Sequence, residues 1–171
     1  MRTLACLSVA MLLTTGCGYH VAGRADLLPA KIKVIAVPAF GNATTRYKLA
    51  ERLPAEITRE LIERTRYRVV SAPEQADAVL TGSLLNFLSY PTVFDPISGR
   101  ATGVQVIAIL QLTLRERATG AVLFNQPHLE YRERYEISVD PEAYFDESGG
   151  VMIRLGREIA RSVVSAVLEN F

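Results

Sequence analysis

The sequence is poor in the residue types that most often carry catalysis and metal binding. Its 171 residues include two cysteines, two histidines and no tryptophan. His20 lies near the start of the chain, and His128 has no second histidine at ligand spacing, so a metal site is not expected. No Gly-x-Ser-x-Gly, Ser-x-x-Lys, P-loop or Gly-x-Gly-x-x-Gly motif occurs. We therefore expect no enzyme and no cofactor, and we expect His128 to be a partly exposed strand residue.

The chain also lacks an excess of charge. Nineteen Lys and Arg residues face 18 Asp and Glu residues, for a formal net charge of +1. This balance excludes a strongly basic nucleic-acid-binding protein and argues against electrostatic docking to a membrane.

A long hydrophobic run occurs only at the start. Arg2 precedes an apolar stretch from Leu4 to Leu13, and Thr14-Thr15-Gly16 supplies small residues before Cys17. The order is that of a secretory signal peptide over residues 1–16, and it is too short to span a bilayer. The segment resembles a bacterial lipobox, in which Cys17 becomes the first residue and accepts a lipid.

The lipobox has one departure, because Leu13 lies one place earlier than usual. The alternative is ordinary secretion with Cys17 as a free thiol. Gly18, in place of aspartate, favours retention in the outer membrane over the inner membrane. Since Cys6 lies in the signal, the mature protein has no disulfide. We expect a lipidated linker over residues 17–30 and a single domain over 31–171.

The rest of the chain predicts the order β-α-β-β-β-β-α. Apolar residues at four-residue spacing, from Leu49 to Leu61, indicate an amphipathic helix. Pro54 lies inside this pattern, so either the helix starts near Arg52 or it kinks at Pro54, and we favour the later start. Strict alternation between Val104 and Leu114 predicts a strand with one buried face.

Two later features complete the fold. Pro127 interrupts the following strand, which predicts an edge position or a bulge. A last helix is expected to start with a cap at Asp140, break at Gly149-Gly150 and resume from Val151 to Leu168. The fold class is an α/β (α+β) sandwich, with two helices on one face of a mixed, mainly antiparallel sheet of four to five strands.

Two places carry candidate binding residues. The stretch from Pro91 to Gly103 has the Pro and Gly markers of a long hairpin loop, and Arg100 is its only basic residue. On the strand after it, Arg132 and Arg134 share a charged face with Glu130 and Glu136. They could hold a phosphorylated ligand or a partner's carboxylates, or that face could simply be solvated.

Several segments in order resemble the lipopolysaccharide-assembly lipoprotein family, LptE. They are "CGYHVAG", "IKVIAVPAFGNATTRYKLAERLPAEITREL", "ADAVLTGSLLNF", "TVFDPISGRATGVQVIAILQLTL" and "IARSVVSAVLENF". The resemblance implies a small lipid-anchored sandwich, facing the periplasm from the outer membrane. It also implies that the protein plugs a large β-barrel partner, LptD, helps that barrel to fold and delivers lipopolysaccharide to the cell surface. Arg100 then falls in the family's lipid-contact loop.

A second resemblance comes from a different class of protein. The β-α-β opening with "VPAFGNATT" and "ADAVLTG" is also similar to outer-membrane lipoproteins of the curli-secretion and penicillin-binding-protein-activator type. Those proteins bind periplasmic partners without entering a barrel. The identity of the copurifying partner separates the two alternatives.

Overall fold

The computed structural model describes residues 28–45, 47–136 and 141–169. These ranges contain six strands and two α-helices. The strands are β1 (Val34–Ala36), β2 (Gly41–Asn42), β3 (Arg68–Val70), β4 (Ala78–Phe94), β5 (Ala101–Glu116) and β6 (Val122–Glu136), and the helices are α1 (Tyr47–Arg64) and α2 (Pro141–Glu169). The expected order is confirmed, with the two-residue β2 as an addition that the sequence did not suggest.

The sheet is mixed. Its strand order is β3-β1-β4-β5-β6, and β2 pairs with β4 beside β1. The short strand β1 pairs in parallel with β3 and with β4, and β2 also pairs in parallel with β4. Strands β4, β5 and β6 form a long antiparallel meander. The expected class of two helices against a mixed, mainly antiparallel sheet is confirmed, although the sheet has six strands in the described residues.

The core lies between this sheet and the two helices. Alternate β5 residues from Val104 to Leu114 are at most 6% exposed, as the sequence pattern predicts. They join one cluster with Leu53 and Ile57 of α1 and with Ile159 of α2. Each fully buried Leu or Ile contributes about 1.5–3 kcal/mol relative to an exposed one, so this layer provides most of the stability.

The expected late start of the first helix is wrong. Helix α1 begins at Tyr47, which makes Pro54 its eighth residue. Pro54 has no N–H to donate to the carbonyl of Ala50, and this normally disfavours a helix interior. However, Leu49 and Leu53 are both 0% exposed and pack into the core. Burial of the first two turns therefore outweighs the lost hydrogen bond.

The expected break in the last helix is also wrong. Helix α2 runs without interruption from Pro141 to Glu169, through both Gly149 and Gly150. Glycine in a helix interior costs only about 1 kcal/mol relative to alanine, and the stripe from Leu155 to Leu168 buries far more than this. The expected cap at Asp140 lies outside the described residues.

Strand β6 confirms both expectations for Pro127. The strand is at the end of the sheet order, and its register with β5 shifts there, because Leu110 pairs with Leu129 whereas Leu112 pairs with Gln126. Proline is tolerated here because it interrupts the ladder at a bulge on an edge strand.

The long hairpin loop expected between Pro91 and Gly103 is much shorter. Strand β4 continues to Phe94 and β5 starts at Ala101, so only residues 95–100 form the turn. Beyond Leu84, β4 pairs only with β5 among the described strands, and a one-sided strand tolerates Pro91.

The opposite end of the hairpin is tied to β1 by paired polar groups, and we call it the base. The Asp77 carboxylate accepts the backbone N–H groups of Lys33 and Val34, both at 2.9 Å. Glu116 is 7% exposed and accepts hydrogen bonds from Lys31 Nζ and Thr119 Oγ1, both at 2.7 Å. The start of the described domain is therefore fixed to both strands of the β4–β5 hairpin at its base.

Candidate functional site

Exposed apolar side chains concentrate in the distal half of β4 and in the turn that follows it. Six of the eight large exposed hydrophobic residues found in the described ranges lie here: Leu85, Leu88, Tyr90, Val93, Phe94 and Ile97. Ile97 is 95% exposed, at the tip of the hairpin. Such a group is unusual on a monomer and typical of a binding surface.

The turn over residues 95–100, which carries Ile97 at the tip, is held by several hydrogen bonds. Asp95 Oδ1 accepts hydrogen bonds from the backbone N–H of Ile97 at 3.0 Å and from Ser98 Oγ at 2.8 Å. These contacts, with the Ser98 N–H as the largest contributor, lower the pKa of Asp95 below its usual value. The Asp95 N–H donates to the Arg100 carbonyl at 2.8 Å, and Gly99 closes the turn with φ of +67°.

Arg100 is placed at this tip, as the sequence suggests. It is exposed, and it immediately precedes β5. No atom lies within 4 Å of the position that a Cβ on Gly99 would occupy, so the backbone beside Arg100 is open to a ligand. Gly99, the small residue beside Arg100, therefore has open space around it, as expected.

The charged face expected on β6 is present, and Arg132 and Arg134 lie on it. Arg132 is paired with Glu130, while Arg134 forms no ion pair with any residue that the structure describes. His128 is 60% exposed in its side chain and lies 3.7 Å from Glu130, which confirms a partly exposed strand histidine.

The register places these arginines in the same cross-strand rows as exposed apolar residues, two strands away. Leu88 of β4 pairs with Ile107 of β5, and Ile107 pairs with Arg132. In the neighbouring row, Tyr90 pairs with Gln105, and Gln105 pairs with Arg134. Directly opposed residues of antiparallel strands share a face, and these alternate with the buried row that includes Val106. We call this surface the outer face of the sheet.

The structure does not bring the three candidate arginines together. Arg134 is opposite Gln105, which lies five residues along the chain from Arg100. At the usual rise of a strand this corresponds to about 17 Å. Arg132 and Arg134 therefore form one cationic place on the outer face, and Arg100 forms another at the tip.

A cleft on the other side of β6 was not anticipated. It has a volume of about 1080 Å³ and lies between β6 and α2, lined by Tyr131 and Tyr135 from the strand and by Arg154, Leu155 and Arg157 from the helix, among others. Tyr131 donates to Glu133 at 3.2 Å, and burial, followed by the charge of Glu133, raises the pKa of Tyr131 to about 12.

Arg154 and Arg157 are the residues that the sequence reasoning missed. Their three-residue spacing places them on one side of α2, on the exposed surface flanking the buried Leu155. In the sequence, two arginines at this spacing are typical of a solvated helix face. They line a cleft only because α2 packs beside β6.

Neither a metal site nor a membrane-spanning helix is found within residues 28–45, 47–136 and 141–169. No group of three or more His, Cys, Asp or Glu side chains gathers there in a way that could hold a metal ion. None of the helices in this part of the chain combines the length and the apolar character needed to cross a membrane.

The architecture is similar to that of several solved structures. Lipoprotein B from Nitrosomonas europaea is 16% identical with a TM-score of 0.51, and the match covers 89% of this chain and 96% of that one. A PelC dodecamer from Paraburkholderia phytofirmans gives 14% identity and a TM-score of 0.51, over 80% of this chain and 87% of that one. At these identities the similarity concerns the fold alone.

Sequence comparisons give the family. No curated protein matches the chain. The model of the LptE family, described as lipopolysaccharide-assembly, matches residues 32–167. This range includes both helices almost entirely, all six strands and the whole β4–β5 hairpin. The chain therefore belongs to the LptE lipopolysaccharide-assembly family.

Proposed function

We propose that this protein is an outer-membrane lipoprotein, facing the periplasm, that plugs an LptD-like β-barrel, helps it to assemble and assists delivery of lipopolysaccharide to the cell surface. The family match over residues 32–167 carries this proposal. A plug needs a core that is closed on itself and a polar surface that suits the lumen of a barrel. The buried layer between sheet and helices, and the charged row on β6, are consistent with both requirements.

The copurifying partner tests this function. The full chain with a C-terminal affinity tag is extracted from native membranes in mild detergent, and its partners are identified by mass spectrometry. We expect a large β-barrel protein in stoichiometric amount. A cell-wall synthase or a secretion oligomer in its place would support the penicillin-binding-protein-activator or curli-secretion alternative.

The membrane anchor in this proposal is Cys17, after removal of residues 1–16 and ahead of a linker over residues 17–30. Residues 1–27 precede the described part of the chain, so the proposed anchor depends on the sequence pattern. We expect labelled palmitate to be incorporated into the wild type but not into Cys17→Ala, and we expect the variant to move to the soluble periplasmic fraction with its fold unchanged. A wild type that never incorporates the label contradicts the anchor.

The proposed lipopolysaccharide contacts are Arg100 at the tip and Arg132 and Arg134 on the outer face. Lipopolysaccharide combines phosphate groups with acyl chains, so it needs cations next to apolar surface. The outer face offers both, because Arg132 and Arg134 continue the rows that contain Leu88 and Tyr90. Guanidinium groups form paired hydrogen bonds with phosphate, which favours arginine for this role.

A further inference from the structure

Strand β6 ends the sheet with an unused row of backbone groups. In an antiparallel ladder the N–H and C=O groups of successive residues point to opposite sides of the strand. Gln105 Nε2 donates to the carbonyls of both Val106 and Glu133, at 3.4 Å and 3.1 Å, so these two carbonyls face the gap between β5 and β6. The even-numbered residues of the second half of β6 therefore point their backbone groups away from β5. They are Glu130, Arg132, Arg134 and Glu136, and no described strand lies on the side of β6 to which these groups point.

The cleft beside this edge has the shape that an added strand requires. A strand hydrogen-bonded to β6 would direct every second side chain towards α2, into the space lined by Tyr131, Tyr135, Ile153 and Leu155. A groove between an edge strand and a helix is a recurring arrangement for binding extended peptides: the backbone provides affinity and the alternate side chains provide specificity.

Charge determines which strand fits. On the outer face the edge presents Glu130, Arg132, Arg134 and Glu136 in sequence. Charged side chains on an edge strand prevent indiscriminate pairing with apolar strands. A strand of complementary pattern, with acidic side chains opposite the two arginines, converts the same charges into favourable cross-strand pairs.

The helix side of the groove adds to the positive charge. Arg154 and Arg157 form no ion pair with any residue in the described ranges. By contrast, two of the glutamates that line the cleft already have partners, since Glu133 accepts from Tyr131 and Glu158 pairs with Arg161. The Tyr131 hydroxyl does not neutralise Glu133, and Glu136 also lines the cleft, so the arginines of the groove without an ion pair exceed such glutamates by one in the described residues.

We propose that the groove between β6 and α2 binds an extended segment of another polypeptide by strand addition, with carboxylates at its two central outward positions and apolar side chains facing α2. This interaction surface goes beyond the proposed function, because it binds a polypeptide through the free edge and the cleft. It shares Arg132 and Arg134 with the proposed lipopolysaccharide contacts, but it does not involve Arg100 or the apolar residues of the outer face.

The test uses the full chain and a capped heptapeptide, Lys-Val-Glu-Val-Glu-Val-Lys. The peptide places Lys opposite Glu130 and Glu136 and Glu opposite Arg132 and Arg134, and its pattern is the same in both directions. Amide hydrogen exchange is followed by NMR. We expect new protection at residues 130, 132, 134 and 136, with little change at 131, 133 and 135, whose N–H groups already face β5.

Three control peptides separate strand addition from simple charge attraction. Methylation of the two Glu amide nitrogens removes donors to β6 in an antiparallel pairing, and methylation of the three Val amide nitrogens removes them in a parallel pairing. Both leave the side chains unchanged, and one of the two should weaken binding about tenfold or more. The charge-swapped peptide Glu-Val-Lys-Val-Lys-Val-Glu should also bind more weakly. Equal binding by both methylated peptides overturns the proposal.

Variants of the protein test the helix wall. Ile153→Glu puts a charge where the valine side chains of the peptide would meet α2, so it should weaken peptide binding several-fold. Arg66→Glu, ahead of β3 at the opposite end of the sheet, should leave peptide binding unchanged.

Two other outcomes would identify a different occupant of the edge. If alternate residues of β6 are protected without peptide, in a dimer that forms with increasing protein concentration, the edge pairs with a second copy of the chain and the proposal is overturned. Displacement of the peptide by lipopolysaccharide, with protection of the same amides, would assign the groove to the lipid and also overturn the proposal.

Discussion

The base and the distal half of the β4–β5 hairpin are parts of the same two strands, yet their chemistry is opposite. At the base the buried Glu116 and the Asp77 carboxylate have specific hydrogen-bond partners, and the apolar residues Ala78 and Leu80 are buried. In the distal half, apolar side chains such as Leu88 and Phe94 are 46% and 57% exposed. A soluble monomer gains nothing from this exposure, so the difference separates the part of the hairpin that stabilises the fold from the part available for binding.

The largest loss of stability is expected for a substitution at the centre of β5, where a buried and an exposed position are adjacent. Leu110 is 0% exposed, so Leu110→Ala should lower the free energy of unfolding by about 2–5 kcal/mol through lost contacts and the resulting cavity. Gln111→Ala is the matched control, because Gln111 is exposed on the other face and should cost far less. Denaturant unfolding measures both, and equal losses would contradict the assigned faces.

A smaller effect is expected at Gly82, near the base. A Cβ built there would lie 2.4 Å from the Phe40 ring, which packs against the core. Gly82→Ala should therefore displace Phe40 and cost about 1–3 kcal/mol, as overpacking typically does. In Phe40→Leu the same glycine substitution should cost less, because a smaller side chain leaves room. Additive losses in this double-mutant cycle would show that the two residues are not coupled.

The base also predicts a dependence on pH. Backbone hydrogen bonds from Lys33 and Val34 lower the pKa of Asp77 below its usual 3.8, and the hydrogen bond from Lys31 lowers that of Glu116 below its usual 4.5. Between the lowered and the usual pKa values, the unfolded chain therefore binds more protons than the folded chain. The contribution of the two carboxylates to the free energy of unfolding is fully present above about pH 4.5, and it is lost as the pH falls through the lowered pKa values. Unfolding of Asp77→Asn should depend less on pH between 5 and 3, and an unchanged pH profile would contradict this role.

How far the sequence predicts this molecule also differs between the two regions. The faces of β5 and the bulge at Pro127 were predictable because period-two burial and a missing donor are local signals. The uninterrupted α1 and α2 were not, since Pro54 and Gly150 are local breaks that tertiary packing overrides. Similarly, the Pro and Gly residues around Pro91 predict a loop, whereas pairing with β5 extends strand β4 through this position. The cleft depends on how α2 packs beside β6, and the residue pattern of either element alone does not predict that packing.

The smallest effect on stability and the most specific effect on function are expected at the tip. Arg100→Glu should leave the melting temperature nearly unchanged, because exposed substitutions usually stay within about 0.5 kcal/mol. It should weaken lipopolysaccharide binding by the full chain about tenfold, as expected for loss of a charge-assisted hydrogen bond and its replacement by repulsion. Binding is measured in detergent with labelled lipopolysaccharide, and the same variant should sensitise cells to large antibiotics.

The control for this prediction must be an arginine without a structural task. Arg117, in the turn at the other end of β5, is unsuitable, because its Nε donates to the Ala76 carbonyl at 2.6 Å and its N–H donates to Asp77. Arg66 is exposed and lies at the far edge of the sheet, so Arg66→Glu changes the net charge equally without altering the hairpin. If Arg66→Glu impairs binding as much as Arg100→Glu does, the effect is one of general charge. The distal hairpin would then have no specific role in lipopolysaccharide binding, because reversing a charge there would have the same effect as reversing one elsewhere on the surface.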